Sequence, residues 1–374
     1  MRTLLIAAGT AAAVLLSVPV ASAAPTPSTV DLSLPRPTGH LAVGRDTLAL
    51  VDRSRPDPWV PDSGPRRLMV TTYYPALPGT GTRARYMDIE EAAALVEFAE
   101  FGDALPASTM AATRTWSRTR AVPLPGRRPL VLLSPGFTVP RHTLTSLAED
   151  LASRGYVVAA VDHAYESVAA KFPGGVLPCA ACELPDTIGI EPIARNRAKD
   201  MSFVLDEMLR RYPGLVDRHR VAMAGHSMGG DATATTMRAD RRVLAGVNLD
   251  GPMLPPVSVG DRPFLLFGSL DDHAPGGEFD PSWDAAWPEL SGWRRWLTVA
   301  GADHYSFTDV DLLAWQAGID PGFVLDPARG VDLTRTYVGA FLDQHLRDIP
   351  RPELAGPVNE YPEVTFHHHG SHQR

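Results

Sequence analysis

From Arg128 onward the chain alternates short, predominantly apolar runs with longer amphipathic stretches, and this alternation constrains the fold more than any other feature. The runs at 130–133, 156–161, 221–224, 244–249, 263–267 and 296–299 are too short and too uniformly apolar for a sheet wetted on one side, so they predict strands buried on both faces. Between and after them, helical patterning is predicted at 143–153, 193–211, 229–238, 283–290 and 333–347. Strands that alternate with helices pair in parallel, because each crossover must return the chain to the same sheet edge. The expectation is one α/β domain over 38–350, with a mostly parallel central sheet and helices on both faces. Upstream, β-like stretches at 40–51 and 67–74 flank turn material at Arg55-Pro56-Asp57-Pro58 and predict an antiparallel hairpin that opens the sheet. An insertion is expected over 77–128. Within it, Ile89, Ala92, Ala93, Val96 and Phe101 mark one face of a helix, and Glu90, Glu91, Glu97 and Glu100 lie elsewhere.

The ends read differently. Met1 and Arg2 precede an apolar run from Leu4 to Val20 that closes on Ala21-Ser22-Ala23, the pattern of a secretory signal peptide over 1–23. The run is short, broken by Gly9, Thr10, Ser17 and Pro19, and followed by Pro25 and Pro27. Cleavage near Ala23 and secretion are therefore expected, with no integral membrane segment once the signal is removed. A Pro-rich linker is expected over 24–37. A C-terminal tail is expected over 351–374, its histidine tract reading as a frayed terminus.

The formal net charge of −8 is mild, so composition suggests neither nucleic acid nor an anionic membrane as an obligatory partner. The two cysteines, Cys179 and Cys182, predict a local disulfide in an oxidising compartment. A zinc site would need further ligands that are not near in sequence, and no metal is expected.

Chemistry concentrates at Gly225-His226-Ser227-Met228-Gly229, between a predicted strand and a predicted helix. There a serine sits on a sharp strand-to-helix corner, and glycines two positions away on either side, Gly225 and Gly229, avoid a steric collision. A serine hydroxyl is a poor nucleophile until a base takes its proton, so a downstream histidine is required. His304 follows the run 296–299 in Ala300-Gly301-Ala302-Asp303-His304 and is the best placed. The imidazole in turn needs a carboxylate to fix its tautomer. Asp250 ends one strand and Asp271 and Asp272 follow the next; strand-end placement alone does not separate them. An oxyanion hole needs two backbone N–H groups, one after the nucleophile and one after an earlier strand, which selects Met228 and Phe137. No cofactor is required for this chemistry.

Leu133-Ser-Pro-Gly-Phe137, Gly225-His-Ser-Met-Gly-Gly230, Asn248-Leu-Asp-Gly251 and His304-Tyr-Ser-Phe-Thr-Asp309 together resemble the platelet-activating-factor acetylhydrolase-like branch of the α/β-hydrolases, a bacterial secreted esterase and lipase branch. The likeness extends to Val43-Gly44, the segment from Val51 to Asp57, and Tyr74-Pro75. It implies the α/β-hydrolase fold, an acyl-enzyme on Ser227 and, from the Ser-to-acid spacing, Asp250 as the triad acid. A more distant similarity to lipases, cutinases and polyester hydrolases would place the acid at Asp271 or Asp272. The sequence departs from the acetylhydrolase pattern at Ser134-Pro135 and in the loop 166–190. The expected activity is hydrolysis of a short-acyl ester, of a small molecule or a lipid, in a pocket walled by 77–128 and 166–190. A lipase or polyester hydrolase, and a secreted acyltransferase, would use the same machinery. A non-catalytic binding protein would be marked by loss of the serine, histidine or acid, and none is lost.

Overall fold

The computed structural model describes residues 30–367, so the leader assigned to 1–23 and the histidines after 367 lie outside the described residues. The chain opens with β1 (Ala42–Pro56) and β2 (Pro65–Ala76), the antiparallel hairpin that the sequence predicts, both strands running longer than expected. The insertion follows as β3 (Thr82–Arg85), α1 (Ile89–Phe98), α2 (Ala107–Ala111) and β4 (Arg114–Thr119). α1 starts at a reciprocal cap: the Asp88 carboxylate accepts from the Glu90 amide, and Glu91 accepts from the Asp88 amide at 2.9 Å. Next come β5 (Arg128–Ser134), α3 (Thr145–Ser153) and β6 (Val157–His163). The loop 166–190 carries the small hairpin β7 (Lys171–Phe172) and β8 (Gly175–Val176), a Cys179–Cys182 disulfide, and α4 (Pro185–Ile188).

The second half runs α5 (Glu191–Arg211), β9 (Val216–His226), α6 (Met228–Ala239), β10 (Ala245–Leu249), β11 (Phe264–Ser269), α7 (Leu270–His273), α8 (Ser282–Ala286), β12 (Arg294–Val299), α9 (Val310–Gln316), α10 (Pro327–Arg347) and β13 (Val364–His367). Among the described residues, eleven strands form one sheet in the order β13-β12-β11-β10-β9-β5-β6-β2-β1-β4-β3. From β12 to β6 every neighbour is parallel. Every residue of β6 and β10 is buried, as strands covered on both faces require. One core layer includes Leu147, Leu151, Phe267 and Phe341 on the α3 and α10 side; the other includes Met201, Leu205, Met223 and Trp283 on the α5, α6 and α8 side.

Two boundaries need correction. The expected tail 351–374 contains β13, which pairs antiparallel with β12; Val364 and Phe366 are buried while Thr365 is exposed, a strand alternation too short to stand out in sequence. The expected linker 24–37 is docked over its described part, with Leu32 and Leu34 buried against α1, α2 and Leu313. Its backbone also exchanges hydrogen bonds with Arg114, at 2.8 and 2.9 Å. Pro-rich composition hid both leucines, because a segment without periodicity can still bury two side chains.

Candidate active site

β9 and α6 meet at Ser227, whose φ of 55° and ψ of −123° are far from the regions that side-chain-bearing residues favour. The corner is so tight that a Cβ on Gly225 would come within 2.1 Å of the Gly229 carbonyl oxygen. One on Gly229 would meet the Ser134 carbonyl oxygen at 2.0 Å. These contacts give the two glycines their steric cause. The Ser227 N–H donates to Leu249 O at 2.8 Å, and Gly251 packs so closely that a Cβ there would lie 2.0 Å from Ser227 O. The β9–β10 register pairs His226 with Leu249, and so sets Asp250 beside the serine.

Asp250 is buried, and both of its carboxylate oxygens accept hydrogen bonds. Oδ1 takes the Ser269 N–H at 2.5 Å and Oδ2 takes His304 Nδ1 at 2.6 Å. Burial alone would raise its pKa; the hydrogen bond from His304, the nearby His273 and the Ser269 amide hold it below the usual carboxylate value. For His304, burial pushes down, but the bond to Asp250 and the charges of Asp250, Asp272 and Asp303 lift it above the ordinary 6.5. Of the two later aspartates, Asp271 is exposed. Asp272 instead offers an oxygen within 4.8 Å of ligand atoms of both Asp250 and His304. Those three residues could hold a cation by composition, although Asp250 and His304 are already bonded to each other.

His226 is a contributor that motif reading leaves as a variable position. Its Nε2 lies 2.7 Å from the His304 carbonyl oxygen, and the two rings stand 4.6 Å apart. Since a carbonyl only accepts, Nε2 carries the proton. Burial, and then the charge of His304, lower its pKa to about 3, so the ring stays neutral while it holds the His304 loop against the corner.

β5 lies next to β9, with Ser134 paired to Gly225, so the loop Pro135–Thr138 rises beside the serine. Neither the Phe137 N–H nor the Met228 N–H donates to another group among the described residues. Their side chains meet in one cluster with Ile193 and Ala194 of α5. Beneath the loop lies a buried charge network. Arg66 contacts Asp57, Glu166 and Asp200, and Arg197 bonds Glu166 at 2.7 Å. Paired charges tolerate burial that single ones would not. Within it, His163 Nδ1 meets Asp200 at 2.7 Å and Nε2 meets Ser134 Oγ at 3.1 Å. This is a second Ser-His-Asp row, but Ser134 is fully buried. Burial, then Arg197, lower the His163 pKa and keep it neutral.

A cavity of about 340 Å³ lies between the insertion and the segment after His304, lined by Leu95, Phe98, Phe101, Val139, Tyr305 and Leu313 among others. Asp311 at its wall is pushed up to about 8 by burial and by the hydrogen bond with Asp303. The loop 166–190, expected as a second wall, contributes none of its lining; residues 303–323 take that place. Neither this cavity nor a larger groove of about 820 Å³ along α5 and α6 is lined by Ser227, Asp250 or His304, but the smaller one includes Asp303 and Tyr305, the chain neighbours of His304.

Comparison with known proteins adds chemistry to this geometry. Residues 92–173 match the family model "Platelet-activating factor acetylhydrolase, isoform II", a span that starts within α1 and includes the loop after β5. A probable 1-alkyl-2-acetylglycerophosphocholine esterase of Arthroderma benhamiae is 27% identical over 96% of this chain and 98% of that protein. A platelet-activating factor acetylhydrolase of Cavia porcellus is 28% identical over 48% of each chain. Among solved structures, a ferulic acid esterase from Streptomyces cinnamoneus is similar with a TM-score of 0.80 and 40% identity, over 90% of this chain and 99% of that one.

Proposed function

The chain belongs to the platelet-activating-factor acetylhydrolase-like esterases of the α/β-hydrolase fold, and on that premise we propose that it hydrolyses short-acyl carboxylic esters through Ser227, His304 and Asp250. In this reading His304 Nε2 takes the Ser227 proton, and Oγ attacks the ester carbonyl. The N–H groups of Phe137 and Met228 stabilise the oxyanion, and the alcohol leaves with the proton from His304. Water, deprotonated by the same histidine, then releases the acid and restores the serine. The observation that carries the reading is the 2.6 Å bond between His304 and Asp250 on a loop that His226 fastens beside Ser227.

The acyl group is assigned to the cavity walled by Leu95, Phe98 and Leu313, which Asp303 and Tyr305 on either side of His304 join to the base; acetylated lipids enter the proposal through the alkyl-acetylglycerophosphocholine esterase relative. A second reading, an aromatic acyl group, is favoured by the ferulic acid esterase relative and by the aromatic rings of Phe98, Phe101 and Tyr305 around the cavity. Export belongs to the same proposal. It is supported by the closed Cys179–Cys182 pair. Among the described residues, no helix is long and apolar enough to cross a membrane.

Rates on p-nitrophenyl acetate, butyrate and octanoate, and on methyl ferulate, test the substrate. The short esters should be turned over fastest, and Ala99→Trp, which narrows the cavity, should reduce octanoate and ferulate turnover more than acetate turnover. Faster hydrolysis of ferulate than butyrate would move the assignment to the aromatic reading, and a preference for octanoate would overturn both.

A further inference from the structure

We propose that Arg197 is a positioning residue for the oxyanion-binding peptide: its guanidinium grips the Pro135 and Gly136 carbonyls and thereby turns the Phe137 N–H toward Ser227. The inference rests on the ester-hydrolase reading above and adds a residue to it. Arg197 lies on α5 and is 1% exposed. Nε goes to Glu166 Oε2 at 2.7 Å. Nη1 reaches Pro135 O at 2.6 Å and Ser134 Oγ at 3.3 Å, while Nη2 reaches Gly136 O at 3.4 Å. Its fork is thus turned onto consecutive carbonyls of the one loop that carries Phe137.

Those carbonyls decide where the amides point. In a planar trans peptide the C=O and the next N–H face opposite ways. Gly136 C=O and Phe137 N–H share one such plane, so holding the oxygen toward α5 directs the N–H away from it. Glycine at 136 leaves that plane free to rotate at little cost, which makes an outside restraint necessary. A Cβ there would press on His226, at 3.0 Å from Nδ1. Glu166 closes the clamp from the other side: its carboxylate holds Arg197, while its backbone oxygen accepts the Thr138 N–H at 3.0 Å. Linked hydrogen bonds also polarise one another, so a cation on the carbonyl end strengthens the N–H as a donor. A lysine carries the charge but not the planar fork.

The test compares Arg197→Met and Arg197→Lys with Arg195→Met, an exposed arginine of the same helix, using p-nitrophenyl butyrate kinetics across pH and a crystal structure of each variant. Loss of the oriented donor should lower kcat of Arg197→Met by about 30- to 100-fold, with KM within about threefold. Arg197→Lys should lose about tenfold, because one ammonium replaces two directed donors. The acid limb of the pH profile should not move, since it belongs to His304, and the 136–137 peptide should be rotated. A folded Arg197→Met with kcat within twofold of wild type, or with the Phe137 N–H unmoved, would overturn the proposal. Should Arg197→Met not fold, Arg197→Lys decides on the same criteria. A wild type inactive on every ester would sink the catalytic reading alone, and the peptide orientation would still decide the clamp.

Discussion

Asp250→Asn is the perturbation whose outcome the geometry specifies most closely. Both carboxylate oxygens accept, one from the Ser269 amide at 2.5 Å and one from His304 Nδ1 at 2.6 Å. An asparagine has one acceptor and one donor end, and the backbone N–H of Ser269 cannot turn away. The side-chain oxygen therefore stays with Ser269, and the NH₂ group faces His304 Nδ1. That nitrogen must then accept, which moves the ring proton to Nε2, where it can no longer take a proton from Ser227. A wrong-tautomer loss of this kind is about 10³- to 10⁴-fold in kcat, or about 4–5.5 kcal/mol of barrier. Steady-state hydrolysis of p-nitrophenyl butyrate measures it, with Asp271→Asn and Asp272→Asn beside it. The exposed Asp271 should be dispensable within about twofold, since a screened surface charge contributes little. Asp272, which only adds potential at the ring, should change kcat by less than about fivefold. Retention of more than a tenth of the activity in Asp250→Asn, or a collapse in Asp272→Asn, would refute the reasoning and move the acid to the later strand.

Two further outcomes follow from the same corner. Ser227→Gly should abolish turnover yet raise the thermal midpoint, because glycine relieves a positive φ that costs about 1–3 kcal/mol; calorimetry showing a lower midpoint would contradict the strain. The sign for pH comes from His304, whose folded pKa is raised, so kcat/KM should fall as the pH drops through a midpoint above 6.5. By linkage, the stabilisation that His304 contributes is full below its unfolded pKa and is lost as pH rises through the folded one; an acid limb centred below 6 would count against the Asp250 pairing.

Ser227 and His304 were proposed from local patterns, a nucleophile corner and a loop after a strand. Strand-end placement left Asp250 and Asp271–Asp272 open, and the family likeness pointed to Asp250. The register that pairs His226 with Leu249 supports that proposal, because it sets Asp250 at the corner. The parallel core announced itself through predominantly apolar runs, whereas β13 and the docked Leu32 and Leu34 are too short to leave a period. Arg197 and Glu166 escaped notice because their partners lie far away in sequence, 31 positions between the two, 62 from Arg197 to Pro135 and 100 from Glu166 to Arg66. A signal was nevertheless present: Asn196, Arg197 and Asp200 share the buried side of α5 with Ile193, Met201 and Val204, and charges on an apolar helix face imply buried partners. The segment from Val51 to Asp57, noted as a family likeness, supplies one of those partners, Arg55, which bonds Asp200, and also Asp57, which pairs with Arg66 in the same network.

Reaction of the folded protein with a fluorophosphonate, followed by peptide mass mapping, bears most directly on the ester-hydrolase account. One adduct on the peptide containing Ser227, absent in Ser227→Ala and strongly slowed in Asp250→Asn, is the predicted result. A folded protein that stays unlabelled, or an adduct at Ser134 of the buried Ser-His-Asp row, would contradict it.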